Sequence, residues 1–330
     1  MTINLCVFGA GRIGQIHAAN IAAHRDATLK YVVDVDPAAA TRLATRLGAV
    51  ATDVEAALAD AHVQAVVIAT STDTHLSLIE AAASAGKAVF CEKPLDLDEG
   101  NARKCIAAAA EASIPLFVGF NRRYDPSFRR LKDEIAAGTI GAVEVVSITS
   151  RDPSPPPSDY IRRSGGMFRD MTIHDLDMAR WLLGEEPSSV FASGSCLVDP
   201  DIGKAGDIDT AVVVLETASG RFCQITNSRR CRYGYDQRIE VFGAEGMLRA
   251  DNETATRVEH AGREGFRREP ALPFFLERYR QAYRFEMDDF IRALMGEDTS
   301  LADGEDGLKA LILADAAERS RQTGRRVPAG

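Results

Sequence analysis

Asp170 and His174 stand four residues apart in the run Phe168–Leu183, so in a helix both side chains leave one face. A carboxylate so placed can orient an imidazole and stabilise its protonated form. With an ordinary pKa of about 6.5, histidine suits proton abstraction near neutrality. Oxidising a secondary alcohol needs such a group: it takes the hydroxyl proton while hydride leaves the same carbon. On spacing alone a plainer reading is at least as good, with Asp170 as a helix cap and His174 as an ordinary polar residue. Gly165-Gly166 lead the chain into this run.

A second cluster lies at Glu92-Lys93-Pro94, directly after the apolar run Ala88–Cys91. In isolation Lys93 is a solvated surface lysine. Beyond the C-terminal end of a strand, it stands where open α/β sheets gather ligands, and Pro94 holds its backbone extended. The third is Gly9-Ala10-Gly11-Arg12-Ile13-Gly14, a GxGxxG turn between a strand pattern and a helix pattern. Gly9 permits the tight turn, Gly11 lets the backbone approach a pyrophosphate, and Gly14 allows close helix–strand packing. Asp34 follows Gly14 by twenty residues, where an acid can bind both adenosine-ribose hydroxyls. Its charge repels a 2′-phosphate and no arginine adjoins it, so NAD is expected over NADP. His174-Asp175-Leu176-Asp177 is rich in metal-ligand types, but consecutive helical residues diverge and no second histidine lies at i+4, so no metal is expected.

The elements that must hold these residues are readable. Strand patterns Ile3–Phe8, Leu29–Val33, Ala65–Ala69, Ala88–Cys91 and Leu116–Val118 alternate with helical segments near Arg12–Ala23, Pro37–Leu47, Thr74–Ala85 and Leu97–Ala112. Apolar strands in βα repeats predict an α/β Rossmann domain, a doubly wound parallel sheet. The later chain differs. Pro153–Pro157 reads as a loop, a helix is predicted over Thr172–Leu183 with Gly184 as its stop, and β-rich runs follow from Ser188 to Ala250. Helical stretches near Glu277–Met295 and Asp303–Thr323 complete an α+β domain with a mostly antiparallel sheet. The expected division is 1–120, an NAD-binding Rossmann domain, and 121–330, a domain for substrate binding and oligomerisation.

Two domains suit 330 residues, and the net charge of −9 argues against nucleic-acid and anionic-membrane partners. The six cysteines form no CxxC pair and several sit in apolar runs, which predicts buried reduced thiols. With neither a secretory pattern nor a long apolar run, the expected location is cytoplasmic.

The blocks GAGRIGxxH (Gly9–His17) and Glu92-Lys93-Pro94 together resemble the Gfo/Idh/MocA oxidoreductases. Gly119–Pro126, Ser150–Pro157, Ser164–Pro187 and Tyr233–Gly243 are similar to blocks of the family's inositol-oxidising members, so the resemblance spans essentially the whole chain. It implies NAD-dependent oxidation of myo-inositol at ring carbon 2 to the 2-keto form, with His174 as general base and Asp170 beside it. Lys93 would hydrogen-bond the reacting oxygen. Arg122, Asp152 and Tyr233 match polyol-contacting positions, although Arg123 could exchange roles with Arg122, and Tyr235 with Tyr233. Thr70, Thr72, Glu92 and Tyr283 would line the cofactor, Tyr283 being equally readable as a core aromatic. His75 divides evenly between cofactor contact and first-turn polar residue. The family's habit implies a homotetramer built from paired sheets. Oxidation of another inositol isomer or a pyranose is the nearer alternative, and a non-catalytic NAD-sensing regulator the distant one.

Overall fold

Strands that read as unbroken apolar runs bury both faces, and here they do. In the computed structural model, which describes residues 2–330, the first six strands form one parallel sheet. They are β1 (Ile3–Phe8), β2 (Ala27–Val33), β3 (Val50–Ala51), β4 (Ala65–Ile68), β5 (Ala88–Glu92) and β6 (Leu116–Gly119), in the order β3-β2-β1-β4-β5-β6. All of β4 is buried. Helices Arg12–Ala23, Pro37–Leu47, His75–Ser84 and Glu99–Glu111 lie between strands. The strand order reverses between β1 and β4, so the doubly wound fold is present with its switch point there.

The chain divides into two compact units, one comprising residues up to Tyr124 with Ala282–Leu311, the other Asp125–Gln281 with Ile312–Gly330. This differs from a simple 1–120 and 121–330 split, because a late segment returns to the first unit. Met287, Phe290 and Ile291, on helix Arg280–Leu294, share a core with Leu5, Val7, Ile21, Val32 and Phe90. The Phe290 ring lies 5.4 Å from Phe90. An apolar helix face settles on the sheet surface it completes, which distance along the chain does not reveal.

The second unit is built on β7 (Val143–Arg151), β8 (Pro187–Ser195), β9 (Thr210–Thr217), β10 (Phe222–Ser228), β11 (Asp236–Gly243) and β12 (Gly246–Ala250). A separate hairpin, β13 (Glu259–Gly262) and β14 (Gly265–Arg268), is exposed throughout. With the terminal β15 (Val327–Pro328), the main sheet runs β12-β11-β7-β10-β9-β8-β15. Every neighbouring pair is antiparallel except β7 and β10, which run parallel. One face buries Val146, Ile148, Cys223, Ile225, Val213 and Leu215, and helix Ile173–Leu183 packs on β7 and β10. The other face stays open. There Met247, Phe242, Val145 and Phe222 stand opposite one another across four strands.

The helix predicted over Thr172–Leu183 begins earlier and differently. A π turn spans Phe168–Thr172 and passes into the α-helix Ile173–Leu183, which Gly184 ends in the left-handed region at φ 65°. Asp170 therefore lies in the π turn and His174 in the α-helix that continues from it. A π turn is wider, so four residues fall short of a full turn. No helix among the described residues is long and apolar enough to cross a membrane.

Candidate functional site

In the first unit the candidates collect at the C-terminal ends of β1, β2, β4, β5 and β6. Gly9 turns the chain at φ 103°, and a Cβ there would lie 2.4 Å from the Ala69 carbonyl oxygen. A Cβ on Gly14 would sit 1.9 Å from the Gly9 oxygen, so helix and strand touch at this point. A Cβ on Gly11 would meet no atom of the chain within 4 Å. Packing therefore explains Gly9 and Gly14, whereas Gly11 keeps open the space in front of a helix start. Arg12 and Ile13 open that helix, Arg12–Ala23, whose N-cap Gly11 offers no side-chain cap. Asp36, Asp53, Asp98 and Asp125 each cap theirs. The uncapped N–H groups suit a phosphate.

Asp34 completes this half. Its Oδ2 accepts from the Ala10 N–H at 2.6 Å and its Oδ1 from the Asp36 N–H at 2.8 Å, leaving lone pairs for ribose hydroxyls. Open backbone at Gly11, uncapped N–H groups and a fixed carboxylate together fit a dinucleotide. Thr70 bonds Thr74 through its hydroxyl at 2.7 Å, and Thr72 starts the short turn Thr72–Thr74. His75 opens the helix His75–Ser84 and is buried there. It is 1% exposed, with Nδ1 3.0 Å from the Pro94 oxygen, and it braces the loops after β4 and β5. Burial lowers its pKa, and against the Pro94 carbonyl oxygen Nδ1–H is the donor.

Glu92 ends β5 and Lys93, partly buried, follows it. The Glu92 carboxylate meets Nε2 of His17 at 2.6 Å. His17, the last residue of the GAGRIGxxH block, is fully buried, with Phe90 and Tyr283 edge-on at 5.2 and 5.8 Å. Tyr283 thus lies in the aromatic cluster beneath the turn. Arg122 and Arg123 are both buried in the turn after β6, and Arg123 pairs with Asp306 at 3.0 Å.

In the second unit the parallel strands β7 and β10 end on the same side. Asp152 follows β7 and Arg229 follows β10, the Asp152 N–H bonding the Ser228 oxygen at 2.9 Å. Gly165 and Gly166, both left-handed at φ 82° and 86°, bring the chain into the π turn that carries Asp170. Asp170 accepts from the Tyr160 hydroxyl at 2.7 Å through Oδ1 and from Arg229 at 3.1 and 3.2 Å through Oδ2. Burial first, then the charge of Asp170, pushes the Tyr160 pKa up, and Asp152 adds to it. Asn227 ties down the start of the next helix, accepting from Thr172 at 2.7 Å and donating to Asp175 at 2.8 Å. In Met171–Arg180 every residue is buried except His174.

Tyr233 is 46% exposed and donates to Asp236 at 2.6 Å, while Tyr235 is 5% exposed and packs on Phe274 and Tyr279. Of the two, Tyr233 is the more exposed. Sequence reasoning gives no role to Tyr160, Arg229, Asn227 or His17, and only the folded chain brings them to these partners. No group of three or more His, Cys, Asp or Glu side chains among the described residues converges as a metal site.

Comparison with known proteins matches the two regions separately. Residues 3–120 fit the model of an oxidoreductase family with an NAD-binding Rossmann fold, and residues 128–249 fit the GFO/IDH/MocA C-terminal domain. The chain is 52% identical over 320 residues to an inositol 2-dehydrogenase of Rhizobium meliloti, covering 97% of each. A crystal structure of a myo-inositol dehydrogenase from Corynebacterium glutamicum is 42% identical, with a TM-score of 0.95 over 100% of this chain and 99% of that one. A scyllo-inositol dehydrogenase from Lactobacillus casei, solved with NAD(H) and scyllo-inositol, is 31% identical with a TM-score of 0.92 over 100% and 99%.

Proposed function

Since this chain belongs to the GFO/IDH/MocA oxidoreductase family and carries its NAD-binding Rossmann fold, we propose that it oxidises myo-inositol at ring carbon 2 to the 2-keto form. NAD, when bound, supplies the hydride acceptor. His174 takes the hydroxyl proton, and the carbonyl forms as the C–H electron pair departs. One observation carries the base assignment: His174 alone keeps access to solvent in a run where all its neighbours are buried. Asp170 contributes a fixed negative charge that favours the imidazolium. Lys93, just past β5, steadies the oxygen as it gains alkoxide character.

Arg122, Asp152 and Tyr233 are assigned to the remaining ring hydroxyls. A site that hydrogen-bonds many hydroxyls rejects analogues lacking one, because its own polar groups are then left unpaired. The Asp34 carboxylate supports NAD over NADP. The open sheet face, with Phe242 50%, Met247 46% and Phe222 40% exposed, supports association with a second copy on the way to a homotetramer. A monomeric mass by light scattering would contradict that.

The deciding experiment follows NADH formation at saturating NAD with myo-, scyllo- and chiro-inositol and glucose. Turnover of myo-inositol with the highest kcat/KM is expected. No turnover of any inositol, or glucose ahead of them all, sinks the proposal. His174→Ala is expected to lower kcat by about 10²–10⁴-fold while NAD still binds.

A further inference from the structure

Arg229 is the first residue past β10 and only 1% exposed, whereas Arg230 beside it is exposed. Its backbone N–H is fixed to the Asp209 oxygen at 2.8 Å. A guanidinium so far from water is costly to hold unless a carboxylate meets it. The carboxylate it meets is Asp170, and the way they meet is informative. Both terminal nitrogens converge on the single oxygen Oδ2, at 3.2 and 3.1 Å, instead of forking across both oxygens. Nε of Arg229 is buried without a hydrogen-bond partner. The second carboxylate oxygen, Oδ1, is given to Tyr160 at 2.7 Å. Different donors on each oxygen fix the rotation of the carboxylate as well as its position.

The groups that bond Asp170 come from two elements, Tyr160 from the short helix Ser158–Ile161 and Arg229 from the end of β10. Asp152, at the end of β7, lies within electrostatic reach of Tyr160, and His174 is on the helix that follows the π turn. Among them only Arg229 is a permanent cation. It places its charge on one oxygen of the Asp170 carboxylate, and Tyr160 donates to the other.

We propose that Arg229 and Tyr160 are positioning residues that fix the place and rotation of the Asp170 carboxylate for the reaction. This rests on the function proposed above. The rotation of Asp170 is then set from outside the π turn that bears it.

The test is a cycle of Arg229→Met, Asp170→Asn and the double variant, with Arg229→Lys and Tyr160→Phe. It is scored by kcat/KM against pH for whichever polyol the protein oxidises. In the natural protein the acid limb should follow one ionisation. Arg229→Met should lower kcat about 10-fold or more and move the limb up by about one pH unit or more. Arg229→Lys, which keeps the charge, should restore most of the limb. Tyr160→Phe should lower kcat with the limb left near its place. In the Asp170→Asn background Arg229→Met should cost nothing further. An unchanged limb in Arg229→Met, or losses that add in the double variant, overturns the proposal. If Arg229→Met does not fold, Arg229→Lys and the double variant, which buries neither charge, decide between the same two outcomes. Full turnover in His174→Ala would instead remove the base assignment, an outcome separate from any of these.

Discussion

Nε2 of His17 lies 2.6 Å from Oε1 of Glu92, joining the helix behind the glycine-rich turn to the end of β5. Gly119 on β6 makes room for this contact, since a Cβ there would come within 3.1 Å of the Glu92 carboxyl group. His17→Ala removes a fully buried ring and the partner of Glu92. The expected loss of stability is about 2–4 kcal/mol by urea denaturation. His17→Gln keeps an N–H donor and should recover part of it. Equal losses in the two variants would mean that the ring's packing, not its hydrogen bond, is what counts.

The three glycines of the turn should separate cleanly. Gly14→Ala drives a Cβ into the Gly9 carbonyl and is expected to lower the melting temperature, with a cost of about 1–3 kcal/mol from overpacking. Gly11→Ala meets nothing of the chain, so its melting temperature should stay near that of the natural protein while NAD binding weakens. Titration calorimetry and thermal melts on both variants check this. Unchanged NAD affinity in Gly11→Ala would remove the case for close backbone approach there.

Asp34→Ser removes a carboxylate that accepts from Ala10 and Asp36. NAD affinity should fall about tenfold, equivalent to about 1.4 kcal/mol, and NADP affinity should rise as the repulsion goes. Dissociation constants for both nucleotides decide it, and an unchanged ratio would count against Asp34 as the discriminating residue.

Asp236 carries a pH-dependent share of the second unit's stability. Burial pushes its pKa up, but hydrogen bonds from Arg238, Tyr233 and Asn252 outweigh that, and the net shift is downward from 3.8. A depressed carboxylate stabilises the fold fully above its unfolded pKa, and that contribution disappears as pH falls through the folded value. Asp236→Asn should therefore be less stable than the natural protein at neutral pH. The gap in urea midpoints should close below about pH 4. A gap that stays constant down to about pH 3 would contradict the sign.

The glycine turn, Asp34 and Glu92-Lys93-Pro94 are legible in the sequence because each is a contiguous motif at the end of a contiguous apolar run. β7 is not. Its residues alternate between buried and partly exposed, and its partners lie far along the chain, Ser150 meeting Gln237 across 87 residues. Tyr160 and Arg229 stand 10 and 59 residues from Asp170, and nothing in the cluster Arg229, Arg230 and Arg232 marks the first as the buried one. The π turn is hidden for another reason: no residue type announces it, so the spacing reads as α-helical where the backbone is wider.

Inside an otherwise antiparallel sheet, the parallel strands β7 and β10 cannot be joined by a tight hairpin, so the chain must leave the sheet after Asp152 and return much later. The detour carries the π turn, Asp170 and His174, while the ladders of the sheet are finished elsewhere. The strand pairing and the candidate residues of the second unit thus reside in different stretches of chain. On the function proposed above, diversifying the exits around Asp152 and Tyr233 is a route to new alcohols that leaves the strand pairing intact.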